Sequence, residues 1–293
     1  MLNNVFKKAE RKVSFLRAAF CGPSGSGKTY SALLLARGLA GDQGKIAVID
    51  TERGSASLYS DLTDFDVAEL QPPYTPKRYI ELIKEAYNKY DVLVIDSLTH
   101  GWAGIGGVLE MHDNATKVQR NSYMAWRDVT PEHNLLVDTL LSSPCHIVCT
   151  MRSKTAYEIQ ENNGKKAPVK VGMAPIQREG MEYEFTVVWD ISVDSNIAVA
   201  SKDRTQLWKN RCEVFGIEHG KELARWLFSG DMYNEENIQQ QLASCTTKEE
   251  FSTLWRSLLI KNDHPQYQKI LKMFSDAKEI ASSLIVDAMS VAT

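Results

Sequence analysis

The chain reads as short, wholly apolar runs separated by amphipathic stretches. Phe15–Cys21, Lys45–Asp50 (KIAVID), Val92–Asp96 (VLVID) and Cys145–Met151 (CHIVCTM) are largely apolar without alternation, as strands buried on both faces are, and Phe65–Leu70 reads as a further strand, third in chain order. Between them, Tyr30–Leu39 and Lys77–Tyr90 have helical spacing, the second with Tyr79, Ile80, Ile83, Ala86, Tyr87 and Tyr90 on one face. Gly41-Asp42-Gln43-Gly44 marks a turn, and Pro72-Pro73-Tyr74-Thr75-Pro76 stops the third strand. Thr130-Pro131 predicts a helix start, with Thr as cap and Pro at the first position, and Pro144 ends that helix. Strands alternating with helices predict an α/β core with a mostly parallel sheet flanked by helices.

Two stretches break this rhythm. His100–Arg127 and Arg152–Glu179 have no clear period and predict long loops, the first with some helix, of the kind that are functional when they interrupt a compact domain. Tyr183–Asp190 and Ile197–Ser201 predict a β-hairpin turning near Asp194-Ser195, with Leu207-Trp208 as a third short strand and Lys221–Phe228 as a closing helix. Past Gly230 no strand-like run remains. Thr246-Thr247-Lys248-Glu249-Glu250 has the form of a capped helix start. Phe251, Leu254, Trp255, Leu258 and Leu259 form one helical stripe, and Ile270, Leu271, Met273, Phe274, Ala277 and Ile280 form another. The expected organisation is an N-terminal arm at 1–14, a core at 15–230 and a helical C-terminal region at 231–293.

Composition adds little to this and removes some classes. The 293 residues are 43% hydrophobic and 24% charged, within the ordinary range for globular proteins. No apolar run approaches the roughly 20 residues of a membrane span, and the N-terminus lacks a secretory apolar core. The 5 cysteines are odd in number and lack metal or redox spacing, so free thiols and a cytoplasmic setting are expected. Cys21, Cys145 and Cys149 read as small core residues. His100, His112, His133 and His146 show no metal-ligand spacing, and His146 reads as a core histidine. Trp226 and Trp255 read as helix-packing residues. With a net charge of −3, nucleic acid could be held only by a local basic patch.

Chemistry concentrates at the strand ends. Gly22-Pro23-Ser24-Gly25-Ser26-Gly27-Lys28-Thr29 is G-x-x-x-x-G-K-[ST], lying between an apolar strand and a helix. In such a phosphate-binding loop the backbone N–H groups and the helix N-terminus face an anion. The nucleotide-binding set is therefore Gly22 through Thr29 with Tyr30, Lys28 reaching the β- and γ-phosphates of ATP and Thr29 ligating Mg²⁺. Asp96, at the end of VLVID, has the form of the second Mg²⁺ site, and Glu52, just past KIAVID, is placed to orient or deprotonate an attacking water.

These motifs together resemble the RecA family. IAVIDTERGSASLYS resembles that family's strand ending in a catalytic glutamate, VLVIDSLT its magnesium motif, and HIVCTMRSK its sensor strand. The resemblance covers residues 15–210 and is nearest to the phage RecA-like ATPases grouped with Sak-type single-strand annealing proteins. It implies a RecA-like P-loop NTPase core in which Glu52 activates water and Thr150 occupies the γ-phosphate sensor position, where RecA has Gln. Ser201-Lys202-Asp203-Arg204 resembles the Lys-Asn-Arg motif of RadA-like relatives, which implies that Lys202 and Arg204 reach a neighbouring subunit's γ-phosphate in a ring or filament.

The resemblance also implies that residues 101–127 and 152–178 contact single-stranded DNA. Arg152–Arg178 carries six basic and two acidic residues, with Lys154, Lys165, Lys166 and Lys170 as candidates and Tyr157 able to stack on a base. The first loop offers Arg120, with Trp102, Lys117, Tyr123 and Arg127. The function implied is a phage-encoded, DNA-stimulated, Mg²⁺-dependent ATPase in the bacterial cytoplasm that promotes annealing or strand exchange. The alternatives are a motor ATPase (ring helicase, packaging or defence) and a nucleotide-switch adaptor acting through a protein partner of the helical C-terminal region.

Overall fold

The computed structural model describes residues 14–162, 165–227, 235–258 and 267–291. Apart from Ser14 the predicted arm lies outside them, as does Leu259, and the Ile280 side chain is outside the description too. Two compact units are resolved, Phe15–Ala224 and a second carrying Arg225–Thr293.

The first unit is built on β1 (Arg17–Gly22), β2 (Ile46–Asp50), β3 (Asp66–Glu69), β4 (Val92–Asp96), β5 (His146–Asn162), β6 (Lys165–Pro175), β7 (Val187–Ile191), β8 (Ala198–Asp203) and β9 (Cys212–Glu213). Its helices are α1 (Lys28–Ala40), α2 (Pro76–Ala86), α3 (Thr99–Ala103), α4 (Val108–Gln119), α5 (Ser122–Ser142) and α6 (Ile217–Leu227), the last of which runs across the unit boundary. The strand order is β3-β2-β4-β5-β1-β7-β8-β9, with β6 paired only to β5. The six strands from β3 to β7 in that order are parallel, and β8 and β9 close the far edge antiparallel. This is the predicted α/β class, a mostly parallel sheet flanked by helices and followed by C-terminal helices.

Why these residues make these layers follows from where each face goes. Tyr79, Ile80 and Ile83 of α2 and Leu136 and Leu140 of α5 pack on Leu93, Ile95, Ile147 and Cys149 of the central strands. Each fully buried aliphatic or aromatic side chain here contributes about 1.5–3 kcal/mol. Near the antiparallel edge, Trp189 is fully buried, its ring 4.8 Å from Phe20 and Phe215 and 5.0 Å from Trp208. Burial raises the thiol pKa values of Cys145 and Cys149 to about 12, as expected of core cysteines.

Both stretches predicted as loops are regular. His100–Arg127 holds most of α3, all of α4 and the start of α5. Asn121 caps α5, its side chain accepting the Met124 N–H at 3.1 Å, so Thr130-Pro131 is not a helix start and Pro131 lies inside the helix. Ala125, Val129, His133, Leu136 and Leu140 form one buried stripe through that point, and this packing outweighs the breaker. Arg152–Glu179 is mainly the β5–β6 ribbon, paired from Ser153↔Pro175 to Asn162↔Lys165. A two-stranded ribbon satisfies its backbone by cross-strand pairing and imposes no helical or core period, so none was visible.

The third strand of the β-hairpin is also displaced, to Cys212–Glu213. Asp203 accepts N–H groups of Thr205 at 2.7 Å and Trp208 at 2.9 Å, which curls Leu207-Trp208 into a turn and sends the indole into the core. Arg17 was unforeseen as a structural centre. Its buried guanidinium donates to the carbonyls of Cys145 (2.7 Å), Leu141 (3.1 Å) and Ser143, tying β1 to the end of α5. Burial lowers its pKa to about 10. His146 is a buried core histidine whose Nδ1 accepts the Leu16 N–H at 3.0 Å.

The second unit has α7 (Glu235–Ser244), α8 (Lys248–Leu258) and α9 (Tyr267–Val291) around Ile238, Leu242, Phe251, Leu258, Ile270 and Phe274. The capped start is present: Thr247 Oγ1 accepts the Glu250 N–H at 3.2 Å, and Glu250 accepts N–H groups of Thr246 and Thr247.

Helices α1 and α6 meet glycine to glycine. A Cβ on Gly38 would stand 2.1 Å from the Ile217 carbonyl oxygen and 2.7 Å from Gly220 Cα. Gly38→Ala is expected to cost about 1–3 kcal/mol through overpacking. Chemical denaturation checks this, and an unchanged midpoint would refute the close-approach argument.

Candidate active site

Parallel register gathers the chemistry. Phe20 stands opposite Thr150, Ile95 opposite Cys149 and Asp50 opposite Asp96, so the C-terminal ends of β1, β2 and β4 share one edge with the Thr150 stretch of β5. That is the edge at which open α/β sheets present their ligand crevice.

The phosphate loop leaves β1 at Gly22 and enters α1 at Lys28. Gly27 caps the helix at φ 88°, a left-handed conformation that a side chain would oppose. Lys28 Nζ bridges the loop, donating to the Pro23 carbonyl at 2.6 Å. Its pKa is lowered by burial, against which Asp96 and Glu52 act. Asn196, in the β7–β8 turn, donates to the Ser26 carbonyl at 3.0 Å and so braces the loop from outside. Tyr30, on the first turn of α1, meets Tyr59 edge-on at 6.1 Å, giving a partly exposed aromatic surface beside the phosphate site.

Asp96 is almost wholly buried. Its Oδ2 accepts the Thr29 hydroxyl at 2.7 Å and its Oδ1 accepts the Thr150 hydroxyl. Burial pushes the carboxyl pKa up, and the two hydroxyl hydrogen bonds oppose that shift. The donor set suits Mg²⁺: a hydroxyl oxygen and a carboxylate in contact, both hard oxygen ligands, beside the phosphate loop. Thr29, Asp96 and Thr150 are thus brought together, with Thr150 bonded to the carboxylate.

Glu52 stands on a turn shaped by its neighbours. Asp50 is fully buried and accepts the N–H groups of Glu52 at 2.6 Å and Ala56 at 2.9 Å, which projects the Glu52 side chain from the sheet edge. Thr51 Oγ1 accepts the Ser97 N–H at 2.8 Å and lies 2.7 Å from His100 Nδ1. His100 stacks on Tyr74 at 4.9 Å, and burial lowers its pKa. Glu52 itself is in a two-pronged ion pair. Arg152 Nε donates to Oε1 at 3.0 Å, and its Nη2 donates to Oε2. Sequence reasoning passed over Arg152, Asn196 and Tyr59. The Arg after the sensor strand was the one visible signal among these.

The remaining predicted residues lie elsewhere. Lys202 donates to the carbonyls of Glu182 (3.0 Å) and Tyr183, and Arg204 to that of Tyr183 (2.9 Å), so the pair converges on the end of a 3-10 helix at Met181–Glu184. Burial lowers the Lys202 pKa, and Arg204 adds to the shift. Arg120 is exposed and ends α4 in a left-handed turn at φ 54°. Trp102 stacks on Trp126 at 5.9 Å, whereas Tyr123 stands exposed. Lys154 is exposed on β5. Lys165, Lys166 and Lys170 fall on β6 and Tyr157 on β5, with side chains outside the described residues.

Two expectations follow. Lys28→Ala should weaken nucleotide binding and reduce hydrolysis by about 100-fold or more, read by nucleotide titration and phosphate release. The raised Asp96 pKa has a definite sign: a proton competes with the cation as pH falls through a range above that of ordinary carboxylates. Mg²⁺ affinity in the presence of nucleotide should therefore decline on mild acidification, and Asp96→Asn should flatten this dependence. Cation titrations across pH check it; an unaltered slope in the Asn variant would contradict the assignment.

A family profile described as AAA domain matches residues 14–216. A search of curated proteins found no match. Among solved structures, the KaiC-like protein PH0186 from the hyperthermophilic archaeon Pyrococcus horikoshii OT3 aligns over 67% of this chain and 83% of its own, at 14% identity and a TM-score of 0.37. The profile spans most of the chain and takes in the phosphate loop, Glu52, Asp96 and Thr150; the chain belongs to the AAA domain family and is a P-loop ATPase.

Proposed function

We propose that this ATPase couples Mg²⁺-dependent ATP hydrolysis to binding of single-stranded DNA and promotes annealing or strand exchange, as a phage-type recombination protein working in a bacterial cytoplasm. The observation that carries the reading is the path of β5. The strand contributes Thr150 to the site and then continues into a ribbon whose sequence holds Lys154, Lys165, Lys166 and Lys170, in a chain of net charge −3. Lys154 follows Thr150 by four residues on this strand, and Lys165 and Lys166 pair with its far end, so a polyanion held along the ribbon is joined to the site by one continuous strand.

In this reading Lys28 and the N–H groups at the start of α1 hold the β- and γ-phosphates, and Thr29 and Asp96 hold the cation. Bound Mg²⁺ neutralises charge that develops on the phosphate oxygens. Glu52 orients the attacking water and accepts its proton. Thr150 fixes Asp96 and senses the γ-phosphate. Tyr30 and Tyr59 offer aromatic surface to the base. Lys202 and Arg204 serve a neighbouring copy, with ATP at the subunit interface of a ring or filament, and Arg120 adds a contact to the strand. The C-terminal helices take a protein partner.

ATP hydrolysis measured with and without single-stranded DNA, alongside light scattering, tests this. Stimulation of about tenfold or more by single strands, together with a nucleotide-dependent oligomer, is expected. A monomer without stimulation would sink it, and unwinding of a forked duplex would favour a motor instead. Glu52→Gln is expected to lower kcat by about 100-fold with nucleotide binding retained; unchanged turnover would remove Glu52 from the mechanism.

A further inference from the structure

The carboxylate assigned to water activation is not free. Arg152 engages both of its oxygens, through Nε at 3.0 Å and through Nη2. A planar guanidinium matched to a carboxylate in this way is the strongest geometry available to an ion pair, and it orients the carboxylate toward the arginine. A water to be activated must then compete with Arg152 for the same lone pairs.

Arg152 is also where the core ends and the ribbon begins. Its N–H donates to Thr99 Oγ1 at 2.9 Å, at the start of α3, and its carbonyl accepts the Ile176 N–H at 2.7 Å from the returning side of the ribbon. Gln177 Nε2 reaches the Leu98 carbonyl at 3.3 Å. Both ends of the ribbon are therefore fastened beside the catalytic edge, one through the residue that holds Glu52. The ion pair is not deeply buried: the Arg152 side chain is 43% exposed and that of Glu52 22%. The guanidinium is therefore within reach of solvent and of a competing phosphate diester, which accepts the same two-pronged donation as a carboxylate.

We propose that Arg152 is a positioning residue that restrains Glu52, and that a polyanion on the β5–β6 ribbon releases the carboxylate by displacing the start of the ribbon and drawing the guanidinium away. The nucleic-acid part rests on the function proposed above; the restraint of Glu52 does not. No covalent step is involved, only exchange of Arg152 between a carboxylate and a phosphate diester.

The test compares full-length wild type, Arg152→Gln and Arg152→Lys for steady-state ATP hydrolysis, without and with a single-stranded oligonucleotide. In Arg152→Gln the basal kcat should rise by about tenfold with KM for ATP unchanged, and the oligonucleotide should add little. Arg152→Lys, which keeps the charge but not the two-pronged geometry, should be intermediate and should retain stimulation. Loss of a merely structural residue would lower kcat and the melting temperature together and would not be rescued by lysine. A basal kcat at or below wild type in Arg152→Gln overturns the proposal. If that variant does not fold, a basal kcat for Arg152→Lys at or below wild type overturns it equally. A raised basal rate with a wild type that ignores DNA would leave the restraint standing and remove the DNA reading; a DNA-stimulated wild type with an unraised variant would do the reverse.

Discussion

Everything at the catalytic edge hangs on one carboxylate. Asp96 is buried at the end of β4 and takes a hydroxyl from each side, Thr29 at the start of α1 and Thr150 on β5. Burying a carboxylate costs several kcal/mol unless it is well hydrogen-bonded, so the two threonines are required as much by the fold as by the chemistry. The three residues come from different parts of the chain, and their meeting fixes the phosphate loop, the central strand and the sensor strand at a common height. Parallel register supplies the rest, setting Asp50 opposite Asp96 and so placing the Glu52 turn over the same crevice. The raised Asp96 pKa is the electrostatic trace of this burial, which the two hydroxyl hydrogen bonds offset only in part.

The stability of the core is distributed differently. Arg17 binds carbonyls at the end of α5, spending its charge on backbone that would otherwise be left without donors. At the opposite face, α1 and α6 approach until their glycines touch. The helix that begins with the phosphate-binding lysine is thereby clamped at its far end. Motion of the loop must then come from the loop itself, which Asn196 braces through Ser26.

The sheet was legible because strands buried on both faces leave long apolar runs, as in KIAVID and VLVID. The phosphate loop was legible because its glycines and lysine stand at a fixed local spacing between a strand and a helix, with no contact distant in the chain needed to recognise it. What escaped depended on contacts distant in the chain. Pro131 reads as a helix start until Val129, His133 and Leu136 are seen to share one buried stripe with the residues before it. The β5–β6 ribbon shows no period, because cross-strand pairing and not burial organises it. Arg152 and Glu52 stand 100 residues apart, and nothing local to either announces the pair. Lys202 and Arg204 follow a motif, yet within this chain they converge on the carbonyl of Tyr183, a partner that no motif names.

The unbroken length of β5 has a mechanical meaning. From Arg152 to Asn162 the strand extends ten residues beyond the core, an arm of about 33 Å at 3.3 Å per residue. Its fulcrum is the residue that grips Glu52. A tilt of about 10° moves the tip by about 6 Å and the guanidinium by about 1 Å, and a shift of 1 Å is already large on the scale of a hydrogen bond. Such a lever converts a large, loosely specified displacement at its end into a small, sharply defined one at its pivot. In the restraint proposed for Glu52, catalysis would then be governed by how the arm is loaded.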